Sequence, residues 1–154
     1  MNAKLDTSWE AVADAEVGHV YYDAIDEGVR ILVLRGPVAI CAYLGVPSAH
    51  PLAGFSYDDI PLDVHGGLTF GQDGDGSKGD WPAGWYWYGW DYAHSGDYCV
   101  YDGLRDRNVG AHQWTPKEVV DEAKSACWDF RRLMRLAEKC ALKDSGFLIA
   151  QKAG

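Results

Sequence analysis

Thr115-Pro116-Lys117-Glu118 opens the longest periodic segment in the chain, and that segment fixes the layer around which the rest must be arranged. A cap threonine with glutamate three residues on is a capping box, and proline at the first helical position gives up no hydrogen bond. Apolar residues follow at Val119, Ala123, Cys127, Phe130, Met134, Ala137 and Ala141, with Val120, Ala126, Leu133 and Cys140 beside them. This three–four spacing, held for about six turns, predicts an amphipathic helix with one apolar stripe. Asp121, Lys124, Arg131, Arg132, Arg135 and Lys139 take the opposite side. Such a stripe needs an apolar surface to lie on.

The preceding residues read as that surface. Residues 19–25 are rich in aromatic and β-branched side chains, and Asp26-Glu27-Gly28 is a turn signal. Residues 29–34 are almost wholly apolar, as suits a central strand covered on both faces. Gly36-Pro37 breaks that run, and 38–46 forms a third strand closed by Pro47. Short turns between these three make them antiparallel neighbours. A short helix is expected over 8–16, capped by Thr7 or Ser8 and ended by Gly18. Residues 47–63 read as loop, 63–70 as a strand carrying Gly66-Gly67, 71–80 as a polar glycine-rich loop and 98–101 as a short strand. In WYWYGW, residues 85–90, Trp85 and Trp87 face one way and Tyr86, Tyr88 and Trp90 the other. Both faces must then be covered, or one lines a pocket. The expected architecture is a single α+β domain over 1–154: a mostly antiparallel sheet, a short N-terminal helix, and one long amphipathic C-terminal helix packed on the sheet.

Charge limits the partners. The net charge is −9, and residues 1–116 carry 6 Lys/Arg against 17 Asp/Glu, whereas 117–154 carry 8 against 6. An acidic body repels phosphate backbones, so no direct nucleic-acid binding is expected. The same charge suits a protein that covers a basic, nucleic-acid-binding surface on a partner. No run approaches the roughly 20 apolar residues of a membrane helix. The N-terminus has acidic residues where a signal peptide has its apolar core, so a cytoplasmic location is expected and no membrane partner. Cys41, Cys99, Cys127 and Cys140 form no C-x-x-C pair and read as reduced thiols.

The chemistry-bearing residues concentrate in 63–97. VHGGLTF supplies His65 and Thr69, and GWDYAHSGD supplies Asp91, His94, Ser95 and Asp97. Gly66-Gly67 lets backbone approach a ligand or another strand closely. Asp91 and Asp97 stand three residues either side of His94, a spacing that brings a carboxylate to its ring nitrogen in a tight turn. A carboxylate there fixes the tautomer and raises the basicity of the imidazole, preparing a general base or a metal ligand.

LRGPVAICAYLGVPSAHPLAG, DVHGGLTF and GWDYAHSGD together resemble an uncharacterised family of small phage and prophage proteins, over roughly residues 34–102. The resemblance implies a polar centre of His65, Gly66, Gly67, Asp91, His94, Gly96 and Asp97, accompanied by Trp87 and Trp90. It also implies a phage accessory protein acting in the host cytoplasm, of the kind aimed at host defence or host takeover.

Three readings of the centre follow. In the first, His65, Gly66, Gly67, Thr69, Trp87, Trp90, Asp91, His94 and Asp97 line a pocket for a small polar ligand, such as a nucleotide-derived signal. Stacking on an aromatic is worth about 1–3 kcal/mol per base, and a phosphate would call for Lys78, Arg30, Arg35, Arg105 or Arg107 nearby. In the second, His65, Asp91, His94 and Asp97 are catalytic and hold a divalent metal for hydrolysis, although no H-E-x-x-H spacing is present. A metal-free variant would use Ser95 or Cys99 as nucleophile, without a G-x-S-x-G elbow. In the third, the chain is an acidic interaction protein that blocks a host factor, and the cluster ties turns together. The first is the leading expectation. It calls for no cofactor, and the partner is a small ligand, a host protein, or a second copy in a homo-oligomer.

Overall fold

The computed structural model describes residues 4–76, 81–100 and 108–153, with side chains as far as 142. Tyr101, Arg105, Arg107 and residues 77–80 of the glycine-rich loop, Lys78 among them, lie outside the described residues. The elements run α1 (Glu10–Ala13), β1 (Val20–Asp26), β2 (Val29–Arg35), β3 (Ile40–Pro47), a 3-10 turn at Tyr57–Asp59, β4 (Phe70–Asp73), β5 (Trp85–Asp91) and α2 (Pro116–Ala153). The five strands form one sheet in the order β1-β2-β3-β5-β4, and every pairing is antiparallel. The α+β arrangement read from the sequence is the one observed.

Alternation decides which side chain meets which layer. Val29, Ile31, Val33, Ile40, Ala42, Leu44, Val46, Tyr88 and Trp90 share one face with Val119, Val120, Ala123, Ala126, Cys127, Phe130 and Met134 of α2. Burying a valine, leucine or phenylalanine is worth about 1.5–3 kcal/mol, so this stripe holds the helix on the sheet. The capping box forms as written: Thr115 N donates to Glu118 Oε1 at 3.0 Å, and Glu118 N donates to Thr115 Oγ1 at 3.3 Å.

Among the described residues the other face carries no helix and is closed by aromatics. Leu32, Tyr43 and Trp87 are buried there, with Phe70, Trp81 and Trp85 packed around them. Two glycines make this possible. Gly45 is the register partner of Trp87 and Gly89 that of Tyr43. A Cβ on Gly45 would stand 2.8 Å from the Trp87 ring, and one on Gly89 would stand 2.3 Å from Tyr43 Cδ1. Each large ring therefore lies flat over a position that carries no side chain.

Three local expectations are corrected. No strand spans 63–70, because Gly66 and Gly67 both adopt positive φ, 71° and 78°, and turn the chain; β4 begins only at Phe70 and takes in residues 71–73, read above as loop, which pair with Tyr88, Trp87 and Tyr86. The N-terminal helix is a single turn with Trp9 at its cap and no side-chain cap bond, since Ser8 instead bonds Asp6. Residues 98–100 are irregular rather than extended in a ladder.

Candidate functional site

Asp97 is the centre of the site. It is 3% exposed, and both carboxylate oxygens are occupied. Oδ2 lies 2.7 Å from His65 Nε2 and accepts from the His94 amide at 3.0 Å; Oδ1 accepts from Trp114 Nε1 at 2.8 Å. Three pieces of local structure deliver these groups. The Gly66-Gly67 turn presents His65. The 91–97 turn, closed by Asp97 N donating to His94 O at 2.9 Å, presents His94 and Asp97 themselves. The isolated bridge between Asp97 and His112 brings in the segment carrying Trp114, just before α2.

Asp97 orients His65, not His94. An ionised carboxylate only accepts, so the proton of the neutral His65 ring sits on Nε2 and the lone pair on Nδ1. The ring is stacked on Tyr92 at 4.7 Å and 6° and is flanked by Trp114 at 4.9 Å. Its side chain remains 24% exposed, and among the described residues Nδ1 has no hydrogen-bond partner. Tyr92 is held in turn: Trp90 Nε1 donates to its hydroxyl at 3.1 Å, and that hydroxyl donates to Glu122 Oε1. Burial raises the Tyr92 phenol well above its ordinary value and the bond to Glu122 raises it further, so the hydroxyl stays a donor. Glu122 also lies 3.4 Å from the His65 amide.

His94 stands beside this dyad, its ring centroid 5.7 Å from that of His65. The ring fills the space left by Gly66, where a Cβ would come within 2.2 Å of Nε2. The anticipated carboxylate on the His94 ring is only half present. Asp91 Oδ1 approaches Nε2 to 3.4 Å, but not in hydrogen-bonding geometry, and the nitrogen is buried without a partner. Asp91 instead accepts from the Ala93 amide at 3.0 Å and meets Thr69 Oγ1 at 3.5 Å.

The residues anticipated for the site therefore divide. His65, Gly66, His94 and Asp97 converge, with Asp91 and Thr69 at the margin and Gly67 completing the turn. Trp90 lies beneath, acting through Tyr92. Trp87 is on the opposite face of the sheet, fully buried in the aromatic cluster, and takes no part. The cations considered for a phosphate are also elsewhere. Arg30 pairs with Asp23 at 2.7 Å and lies 5.9 Å from the Trp85 ring centre, while buried Arg35 donates to the carbonyls of Val12 and Gly36. Among the described residues, no three His, Cys, Asp or Glu side chains converge as a metal site requires. Cys99 is buried, with its amide and carbonyl clasped by the Asn108 side chain.

Sequence reasoning missed Tyr92, His112, Trp114 and Glu122. Glu122 was detectable, since it is an acid between Val119 and Ala123 on the buried stripe of α2. His112 bonds Glu118 at 2.8 Å and packs on Trp114 at 4.5 Å, so it buttresses the site. No protein-family model, curated protein or solved structure matches this chain.

Proposed function

We propose that this chain is a phage-derived accessory protein that captures a small polar ligand at the His65–His94 surface and acts against a host defence. The phage setting rests on the three sequence blocks. The binding reading is supported above all by the buried Asp97, which grips His65 through Nε2 and leaves Nδ1 as a lone-pair acceptor. A hydroxyl or amide N–H of the ligand would donate to Nδ1, and His94, Thr69 and Asp91 lie close by for its other polar groups. Among the described residues neither Arg30 nor Arg35 stands at the cluster, so the group that His65, His94, Thr69 and Asp91 would recognise is an uncharged, donor-rich one, as on a nucleoside.

The test is a thermal-shift screen of wild type and His65→Ala against nucleosides, nucleotides, cyclic nucleotides, NAD-type compounds and divalent metals. A ligand at 100 times its Kd stabilises the fold by about 2.7 kcal/mol. The expected result is a shift in wild type that His65→Ala abolishes. No shift with any compound, with His65→Ala merely less stable, would overturn the reading and leave the cluster as a clamp between turns. A shift with a divalent metal alone would replace it with metal-dependent hydrolysis.

A further inference from the structure

A groove of about 550 Å³ runs between the flank of α2 and the loop after the 3-10 turn. Pro61, Leu133 and Leu136 give it apolar walls, and Arg132, Arg135 and Lys139 give it three cations. Three other described cations are matched, Arg30 with Asp23, Arg131 with Asp26 and Glu27, and Lys117 with Asp121, while Lys124 lies over the Tyr22 ring and Arg35 donates to backbone carbonyls. Arg132, Arg135 and Lys139 have no ion pair with any described residue, although the chain has 23 acidic residues against 14 Lys/Arg. Leu136 is 59% exposed beside them.

The complementary chemistry lies on the same loop. Tyr88 Oη accepts from the Phe55 amide at 3.2 Å and Tyr86 Oη donates to its carbonyl at 3.4 Å. Its backbone is thus anchored, while the residue is 46% exposed. Asp58 and Asp59 follow in the 3-10 turn, both exposed and neither in an ion pair with a described residue. The helix flank therefore carries cations with leucines, and the loop that leads into the groove wall at Pro61 carries anions with a phenylalanine.

We infer that this groove is half of a self-complementary dimer interface, filled by residues 55–59 of a second copy of this chain. In a two-fold dimer each contact is made twice, so one patch bearing both halves suffices. Asp58 and Asp59 of one copy meet Arg132 and Arg135 of the other, and Phe55 packs on Leu133 and Leu136. A nucleic acid is a poor occupant, because Asp63 and Asp129 also line the groove and the net charge is −9. The inference is independent of the histidine site.

Sedimentation velocity on the full chain from about 1 to about 100 μM tests it, since interfaces of this kind range upward from micromolar affinity. A dimer that weakens with added salt is expected. Arg132→Glu/Arg135→Glu and Asp58→Arg/Asp59→Arg, all at exposed or groove positions, should each raise Kd by more than about a hundredfold. An equimolar mixture of the two should dimerise again, because both contacts of the mixed pair are then oppositely charged. If a reversal lowers the melting temperature, Phe55→Ala and Arg135→Ala provide a milder pair that should weaken the dimer in the same way. A wild type that stays monomeric, a dimer indifferent to both reversals, or a mixture that stays monomeric would overturn the inference.

Discussion

Replacing Asp97 with alanine strips the acceptor from three donors at once: His65 Nε2, Trp114 Nε1 and the His94 amide. A buried donor left without an acceptor costs about 1–3 kcal/mol. The His65 side chain is 24% exposed and recovers part of its loss from water. The Trp114 indole and the His94 amide belong to part-buried residues next to a carboxylate that is 3% exposed, so they recover less. The expected total is about 3–5 kcal/mol, the range found when one member of a buried charged pair is removed. For a domain of this size each kcal/mol moves Tm by roughly 2–4 °C, so the fall should be roughly 6–20 °C. Asp97→Asn keeps one carbonyl acceptor but points an NH2 at another donor, and should fall between wild type and alanine. Thermal melts by circular dichroism with parallel urea titrations measure the loss, and an unchanged urea slope shows that the two end states are the same. A loss under about 1 kcal/mol for Asp97→Ala would refute the reasoning, since it would mean that the three donors find water as readily as the carboxylate.

Two further predictions concern the scaffold. Gly89→Ala sets a Cβ 2.3 Å from Tyr43 Cδ1 and 3.2 Å from the Ala42 carbonyl, so Tyr43 must lift off the sheet. Overpacking of this kind costs about 1–3 kcal/mol, read as a lower urea midpoint, and an unchanged midpoint would show that the aromatic face yields freely. At the start of α2, burial opposes ionisation of Glu118, but the hydrogen bonds from His112 and Thr115 outweigh it and hold the carboxyl below its ordinary 4.5. A depressed folded value stabilises the fold above the unfolded pKa, and the gain disappears as pH falls through the folded value. Glu118→Gln should therefore be less stable than wild type near neutral pH by an amount at the low end of the capping range of about 0.5–2 kcal/mol, because the carboxyl is 39% exposed. The gap should close as the pH is lowered from about 6 to about 3; a gap independent of pH would exclude the carboxylate as its source.

The parts of the fold legible in the sequence are those set by neighbours in the chain. Thr115 and Glu118 are three residues apart, and their capping box is present atom for atom. The alternation of residues 85–90 assigns Trp85 and Trp87 to one face and Tyr86, Tyr88 and Trp90 to the other, as observed. The site was legible only as a region. Asp97 sits three residues from His94, and local spacing favours that pairing, yet the His65 ring takes the carboxylate from 32 residues away. The deciding factor is the pair of positive-φ glycines after His65, which turn a strand-like segment into a corner aimed at Asp97. Trp87 is the reverse case: the resemblance set it beside Trp90 in the site, whereas the alternation already puts the two on opposite faces of the sheet, as observed.

The strand order has a consequence for how the chain assembles. β3 finds its second neighbour only in β5, 37 residues later. At a synthesis rate of about 5–20 residues per second, the apolar edge of β3 waits roughly 2–7 s for that partner. The face that α2 covers waits longer still, because the helix follows all five strands in the chain. During that interval the emerging chain is a three-stranded meander with one sticky edge and a bare face, the form in which it is most exposed to aggregation and to chaperones. Slowing translation after residue 47 should therefore reduce the yield of folded protein more than slowing it after residue 134, by which point every strand has been made and α2 has reached Met134.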